Sequence, residues 1–340
     1  MRRVNKTIYV LNDGYYIHCQ NDALVFELKD EEKVRIPAIG IEQIVIFGNT
    51  TISTYLMGYC CKKNILLSYI STYGNYYGSF CGEKNGNVLL RQKQYLMKDT
   101  KREIDFVKNI VLGKAINSRY TILRSKKNAS VENNKVLEKI SNQILDMINK
   151  IPNQDNVNSV RGIEGKIADL YFSVFDNMLK TKEESMCFIR RSKRPPENNC
   201  NAALSLLYTL LMSNCVSAIE TAGIDAEFGY LHSLRSGRHS LACDLAEEFR
   251  SCIVDRFLIS EINLKKITSK DFVEDEGGIR FKDKSVSKFL NRWEEYKKTE
   301  IVHPLYKKKM EIKVVPYVQA QLIAEYIRGD IEEYPPIEWR

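Results

Sequence analysis

Hydrophobic and polar positions alternate over short runs in the first 80 or so residues of the chain. The runs are rich in β-branched and aromatic residues, and they are separated by Asn-Asp-Gly, Lys-Asp-Glu-Glu and Gly-Asn sequences that are typical of turns. A helix is expected near residues 53–63. Strands are predicted at residues 7–10, 24–28, 34–37, 43–47 and 65–70, with a hairpin at 73–81. This part of the chain is therefore expected to form a small β domain.

From about residue 88 the apolar residues recur every three or four positions, which is the period of an α-helix. A short hairpin is expected at 272–281, and the tail at 334–336 is expected to be loose. Helices are predicted at 89–124, 131–151, 157–179, 198–222, 240–259 and 317–328. The predicted fold class is α+β, with an N-terminal β domain at residues 1–85 and a larger all-α C-terminal domain at residues 86–340.

Length and composition are those of an ordinary globular protein. The 340 residues are 44% hydrophobic and 28% charged, and the formal net charge is +8. The apolar stretch after the basic N-terminus is broken at Asn12 and Asp13, which argues against a signal peptide, and no apolar run reaches the roughly 18 residues of a membrane span. The nine cysteines lack Cys-x-x-Cys spacing, so reduced thiols are expected. We expect a cytoplasmic protein with no membrane partner.

A dense basic cluster precedes one of the predicted helices. Asn201 and Tyr208 follow on the early turns of that helix, where they suit a backbone phosphate and a splayed base. The cluster itself contains Arg190, Arg191, Lys193 and Arg194. Such clusters suit DNA phosphates, although a solvated loop explains the cluster alone equally well.

Glu164 lies in the middle of an otherwise apolar helical stripe formed by Val160, Ile167 and Tyr171. A buried carboxylate must be neutralised, paired or metal-bound, because stranding its charge costs several kcal/mol. Gly162 and Gly165 lie on either side of Glu164 and lower the stability of the helix, which indicates that another group approaches closely there. The pattern alone favours an internal ion pair with a Lys or Arg over a metal site.

A second group of candidate ligands begins at His232, which is followed by a short loop of Ser, Gly and Arg residues. Ser240 is a plausible N-cap of the next helix. Spacings of three and four put Asp244, Glu247 and Glu248 on one face of that helix. Acids with one histidine suit magnesium or manganese. Taken singly, the histidine is better explained as a hydrogen-bonded core residue and the acids as a solvated face.

Three motifs in this order are specific together. They are R-G-I-E-G, then R-x-K-R-P-P-x-N-x-x-N-A-A-L-S-x-x-Y, then G-Y-L-H followed by S-L-A-x-D-L-A-E-E-F-R. The combination resembles the CRISPR-associated protein one family, and the N-terminal half resembles its type I-C branch. The resemblance covers nearly the whole chain, including the order of β and α regions.

The resemblance implies a site that holds Mg2+ or Mn2+. Carried over by motif, its ligands are Glu164, His232 and Glu247, with Asp244 nearby and Arg250 approaching DNA. His239 stands where the family often has Pro, which affects only the loop geometry. The basic cluster, Asn201, Tyr208 and Arg238 are the expected DNA contacts.

The family's activity is the integration of spacers into a CRISPR repeat array by attack of a DNA 3′-hydroxyl on a phosphodiester. The resemblance implies a homodimer formed through the β domain, which assembles with a dimer of CRISPR-associated protein two. The expected DNA partners are a duplex with single-stranded 3′ ends and the CRISPR repeat.

Two other functions stay open at this point. A structure-selective nuclease acting on branched DNA would use water at the same metal site. A non-catalytic DNA-binding scaffold would use the acids only to balance Arg and Lys inside the helical domain.

Overall fold

The computed structural model describes most of the chain. The described residues are 6–11, 14–28, 33–47, 49–71, 76–80, 82, 88–127, 129–181, 183–192, 195–275 and 278–339. The fold is mixed, with N-terminal strands followed by a mostly helical C-terminal region, as the sequence predicts.

Among its described residues, the N-terminal region contains two four-stranded sheets and one helix, α1 (Thr54–Lys63). The strands are β1 (Lys6–Val10), β2 (Tyr16–Gln20), β3 (Ala23–Glu27), β4 (Val34–Pro37), β5 (Ile41–Phe47), β6 (Thr51–Ile52), β7 (Leu66–Ile70) and β8 (Tyr76–Phe80). One sheet has the order β1-β5-β7-β8, and its first three strands are parallel. The other has the order β4-β3-β2-β6.

The two sides of β5 pack against different cores. Ile44 and Ile46 belong to a small core shared with the second sheet and α1. Val45 and Phe47 belong to the large core of the helical region. Since side chains alternate across a strand, one central strand serves both cores. On the helical side, the Gln43 side chain donates to Ser213 Oγ at 2.6 Å.

The C-terminal region is mostly helical rather than all-α. Its helices are α2 (Val88–Leu96), α3 (Lys101–Lys126), α4 (Val131–Ile148), α5 (Val157–Ser173), α6 (Asn199–Thr221), α7 (Ser240–Phe249), α8 (Arg256–Asn263), α9 (Asp283–Lys297) and α10 (Val315–Arg328). Two hairpins interrupt them, formed by β9 (Phe272–Asp275) with β10 (Gly278–Phe281) and by β11 (Glu300–Val302) with β12 (Lys309–Glu311). The first hairpin is predicted by the sequence, whereas the three-residue strands of the second are too short to show a period.

Two of the helices predicted as continuous are interrupted in the structure. The helix expected at 89–124 is divided into α2 and α3, because Asp99 has a φ of 62° and the Thr100 side chain caps Glu103 N. The helix expected at 240–259 contains a π-helical segment, Arg250–Asp255, between α7 and α8. Ser240 is the first residue of α7 rather than its N-cap, and its hydroxyl donates to Ser233 O at 3.2 Å.

The C-terminal tail is packed rather than loose. Tyr334 is fully buried, and its hydroxyl donates to Glu248 Oε1 at 2.5 Å. Ile337 N donates to Glu248 Oε2 at 2.7 Å, and the Asn117 side chain donates to Ile337 O at 2.8 Å. The tail therefore joins α3 to α7. Pro335 and Pro336 favour a loose segment there, because their own sequence gives no sign of these distant partners.

Helix α6 is apolar enough to span a membrane by length and composition, but 67% of its most apolar window is buried inside the protein. That burial is typical of a core helix. The predicted domain boundary at 85/86 lies among residues 83–87, outside the described residues, and stays a prediction.

Candidate metal centre

Side chains from four segments meet at one place in the helical region. Helix α3 supplies Lys114, α5 supplies Glu164, and α7 supplies Glu247. His232 comes from the loop between α6 and α7, with its Nε2 3.7 Å from Glu247 Oε1. Two of the three predicted ligands therefore contact a lysine that the motifs do not include, and the third lies beside Glu247.

Lys114 forms ion pairs with both carboxylates. Its ammonium contacts Glu164 Oε1 and lies 2.7 Å from Glu247 Oε2. The side chains are 11%, 19% and 2% exposed for Lys114, Glu164 and Glu247 respectively. Burial opposes the charge on the ammonium, yet the two carboxylates raise the pKa of Lys114 above its usual range. The internal ion pair expected from the Glu164 pattern is thus present.

The Lys114 position has a signal in the sequence, but a weak one. Lys114 lies on the face of α3 that also buries Ile110, Val111 and Asn117. A lysine on such a stripe needs a partner. Its partners lie 50 and 133 positions away along the chain, so spacing within the helix does not identify them.

Glu247 is a buried acid surrounded by cations, not part of a solvated face. Arg250 Nη1 lies 2.8 Å from its Oε1. Burial acts to raise its pKa, but Arg250, Lys114 and His232 together lower that pKa to about 2. The carboxylate is therefore ionised at neutral pH. Its Oε2 is buried and pairs with the Lys114 ammonium at 2.7 Å.

Asp244 holds the loop that carries His232. Its Oδ2 accepts hydrogen bonds from Tyr230 N at 2.7 Å and Leu231 N at 3.0 Å. Its Oδ1 accepts from His232 N at 2.9 Å and lies 2.7 Å from His232 Nδ1. Because Nδ1–H donates to this carboxylate, the lone pair of the neutral imidazole lies on Nε2, the nitrogen nearer to Glu247.

Gly229 allows the same loop to approach α7 closely. A Cβ at this position would lie 2.5 Å from the backbone carbon of Ser240. By contrast, a Cβ at Gly162 or Gly165 would meet no atom within 4 Å. The face of α5 that carries these two glycines is therefore uncrowded. The turn of roughly 100° per residue places that face away from the Glu164 side chain.

The donor types suit a hard divalent cation. Two carboxylates and one imidazole match the preferences of manganese, and the carboxylates match those of magnesium. In the described part of the chain no three His, Cys, Asp or Glu residues are already arranged as a metal-binding group. The Lys114 ammonium lies between the two carboxylates instead. The side chains are thus of the types that would hold such a cation, and the Lys114 ammonium lies between two of them.

The basic loop is ordered by Asn201. Its buried side chain accepts from Arg191 Nη1 at 2.8 Å and from Ser192 N at 3.2 Å, and it donates to Arg190 O at 2.8 Å. These contacts give Asn201 a structural role in the loop instead of a free surface for DNA. Arg190 is exposed and pairs with Glu197 at 3.1 Å. Lys193 and Arg194 lie outside the described residues.

Tyr208 connects the basic loop to the candidate metal centre. Its ring packs against the guanidinium groups of Arg191 and Arg250, at 5.4 and 5.2 Å from the ring centre. Its hydroxyl donates to Asp255 Oδ1 at 2.7 Å, and Tyr171 donates to Oδ2 at 2.9 Å. Burial raises the pKa of Asp255 to about 7, although both tyrosines act to lower it.

This geometry leaves Tyr208 little ring surface for stacking on a base. The motifs do not indicate Asp255, because its contacts depend on the π-helical turn after α7. Arg238 is half-buried in the loop before α7 and hydrogen-bonds the Cys243 side chain.

Comparisons with known proteins agree with the motifs. A family model described as CRISPR associated protein Cas1 matches residues 8–295. A protein of Rhodospirillum rubrum named CRISPR-associated endonuclease Cas1 2 is 35% identical over 346 residues, covering 100% of both chains.

Solved structures share the fold. A chain of a Cas6-RT-Cas1–Cas2 complex matches with a TM-score of 0.84 at 21% identity, over 100% of this chain and 36% of that chain. A casposase bound to integration product matches with a TM-score of 0.80 at 22% identity, over 98% and 94%. The N-terminal sheets and helical region thus form the architecture of Cas1-like proteins. The chain belongs to the CRISPR-associated protein Cas1 family. Its likeness to the type I-C branch stays a prediction.

Proposed function

We propose that the chain is a metal-dependent DNA integrase and endonuclease of CRISPR adaptation, which inserts spacer DNA into the repeat array. The observation that carries the proposal is the convergence of Glu164, His232 and Glu247 from three separate segments. The name of the Rhodospirillum rubrum relative supports nuclease chemistry, and the casposase provides an example of the same fold on an integration product.

The side chains have distinct roles in this proposal. Glu164, Glu247 and His232 Nε2 hold Mg2+ or Mn2+, and Asp244 fixes the imidazole through its Nδ1 contact. When bound, the cation orients the attacking and leaving oxygens and neutralises negative charge on the phosphate. The nucleophile is a DNA 3′-hydroxyl, so we assign no protein nucleophile.

The surroundings of the site suit DNA. The face of α5 that carries Gly162 and Gly165 is uncrowded, so a DNA backbone can approach this helix closely. Arg191 and Arg250 bracket Tyr208 and extend positive charge from the centre to the basic loop, where phosphates are attracted. This placement supports a path for a DNA backbone across the site.

The proposed assembly is a homodimer that binds a dimer of Cas2 and carries a duplex with single-stranded 3′ ends to CRISPR repeat DNA in the cytoplasm. Exposed apolar side chains of the N-terminal region support a protein contact there: Ile39, Tyr55 and Tyr77 are 88%, 69% and 75% exposed. The fold match to a chain of the Cas6-RT-Cas1–Cas2 complex supports Cas2 as a partner.

The test is strand transfer into a supercoiled plasmid carrying the repeat, with Cas2 and Mn2+ present. Glu164→Ala and Glu247→Ala should each abolish joined products while folding persists, because Lys114 keeps one carboxylate partner in each variant. Glu138→Ala is the matched control, since Glu138 forms a surface pair with Lys126 at 3.3 Å. Wild-type integration by either site variant would contradict the assignment.

The same assay separates the alternatives. Shortened strands without joined strands would favour the nuclease acting on branched DNA. The ion pairs of Lys114 are the observation that favours the non-catalytic scaffold, because in that alternative the acids only balance Lys and Arg. A scaffold predicts DNA binding with neither product and no dependence on metal.

A further inference from the structure

The strongest unassigned feature lies inside the candidate metal centre. Lys114 is in contact with two of the three proposed ligands, Glu164 and Glu247. Its side chain is 11% exposed, so the ammonium has little water to replace those contacts. The three sequence motifs give this lysine no role.

Formal charge shows why Lys114 and a divalent cation conflict. The two carboxylates are balanced by Lys114 and by Arg250, whose Nη1 lies 2.8 Å from Glu247. A divalent cation added to this group would leave an excess of positive charge in a largely buried place, even when the Asp244 carboxylate beside His232 is included. Like charges a few ångströms apart in such surroundings repel by several kcal/mol. The ammonium and the cation are therefore expected to compete for the same oxygens.

The backbone at Lys114 has little freedom to move away. A Cβ on the preceding Gly113 would lie 2.7 Å from Pro336 Cβ and 3.4 Å from Glu248 Cγ. The C-terminal tail thus holds α3 close to α7 at this level. Only the flexible four-carbon side chain of the lysine is left to withdraw.

We propose that Lys114 is an internal counterion that occupies the cation position between Glu164 and Glu247 and competes with the divalent ion for them. The inference rests on the proposed metal site. In the metal-free protein the lysine stabilises the pair of buried acids. On metal binding it leaves both carboxylates.

Calorimetry with Mn2+ tests the proposal on wild-type protein and Lys114→Met. The variant should bind Mn2+ at least about tenfold more tightly, which corresponds to about 1.4 kcal/mol. Its Tm without metal should be lower than that of wild type, since the acids lose their partner, and Mn2+ should raise that Tm by more than it raises the wild-type value.

Lys297→Met is the matched control. Lys297 is also a buried lysine, 6% exposed, and it pairs with Glu294 at 2.7 Å in α9. Its loss should lower the Tm but leave Mn2+ affinity unchanged. If Lys114→Met does not fold, Lys114→Gln keeps hydrogen-bond donors without the charge and should give the same increase in affinity.

The outcomes separate the two claims. Unchanged or weaker Mn2+ binding by the folded Lys114 variants, with wild type binding normally, overturns the counterion role and leaves the metal site intact. Absence of Mn2+ binding by both wild type and variants overturns the proposed metal site, and the competition with it.

Discussion

At the scale of single residues, the Asp244 and Glu247 carboxylates have different surroundings although both are buried on α7. Asp244 uses its two oxygens on three backbone N–H groups and the imidazole of His232. Glu247 instead points toward Lys114, Arg250 and His232. We therefore propose that Glu247 binds the metal and that Asp244 positions the histidine loop.

Exchanging each acid for its amide tests that division. Glu247→Gln should lose Mn2+ binding, because an amide is a poor ligand for the ion. Asp244→Asn should keep most of the affinity but lose activity and about 1–3 kcal/mol of stability, since an amide nitrogen would face backbone donors. Calorimetry with Mn2+ and chemical unfolding measure both effects, and the reverse ranking of affinities would move the ligand by one helical turn.

The sequence predicts the types of residues at the site better than their contacts. The G-Y-L-H and D-L-A-E-E motifs bring His232 close to Asp244 because only a short loop separates them along the chain. The contact of Lys114 with Glu164 depends on the packing of α3 against α5. No local pattern encodes that packing, so the lysine is missed.

At the scale of elements, periodicity identifies most strands and helices but not where a helix is interrupted. The break at Asp99 depends on a single left-handed residue. The π-helical turn at Arg250–Asp255 accompanies buried contacts of Asp255 with Tyr171 and Tyr208, which are distant along the chain. The packed tail is likewise invisible to local signals, because its partners lie on α3 and α7.

Tyr334→Phe tests the attachment of the tail to α7. The variant keeps the ring but removes the hydroxyl that donates to Glu248 Oε1 at 2.5 Å. The loss leaves a buried acid with fewer donors, so the free energy of unfolding should fall by about 1–3 kcal/mol. Urea unfolding measures the change, and Tyr306→Phe at a 43% exposed position is the control. Equal stability of the two variants would show that the tail contributes little.

At the scale of the whole molecule, the α+β order follows from the change of hydrophobic period near residue 88. The sequence does not show that β5 contributes to both cores, because this requires knowing which helix covers the first sheet. The position of the basic loop beside the candidate metal centre is also a product of tertiary packing, through Tyr208 and Arg250.

The salt dependence of DNA binding tests the loop as part of a DNA path. Replacing Arg190, Arg191, Lys193 and Arg194 together should weaken binding and make the slope of log affinity against log salt shallower, as phosphate contacts are lost. Arg190→Ala alone should reduce the slope by about 1 without loss of stability, because Arg190 is 75% exposed. Lys139→Ala, on the exposed face of α4, is the control. An unchanged slope would identify the loop as a solvated surface.

The central claim is that Glu164, His232 and Glu247 hold one divalent cation. Anomalous X-ray scattering from crystals grown with Mn2+ tests it most directly. We predict one manganese peak within about 2.3 Å of a carboxylate oxygen of Glu164, a carboxylate oxygen of Glu247 and His232 Nε2, with Asp244 still bonded to His232 Nδ1 and Lys114 withdrawn. A peak bound by Asp244 instead of Glu247, or no peak among these residues while Lys114 stays between the two glutamates, would contradict the account.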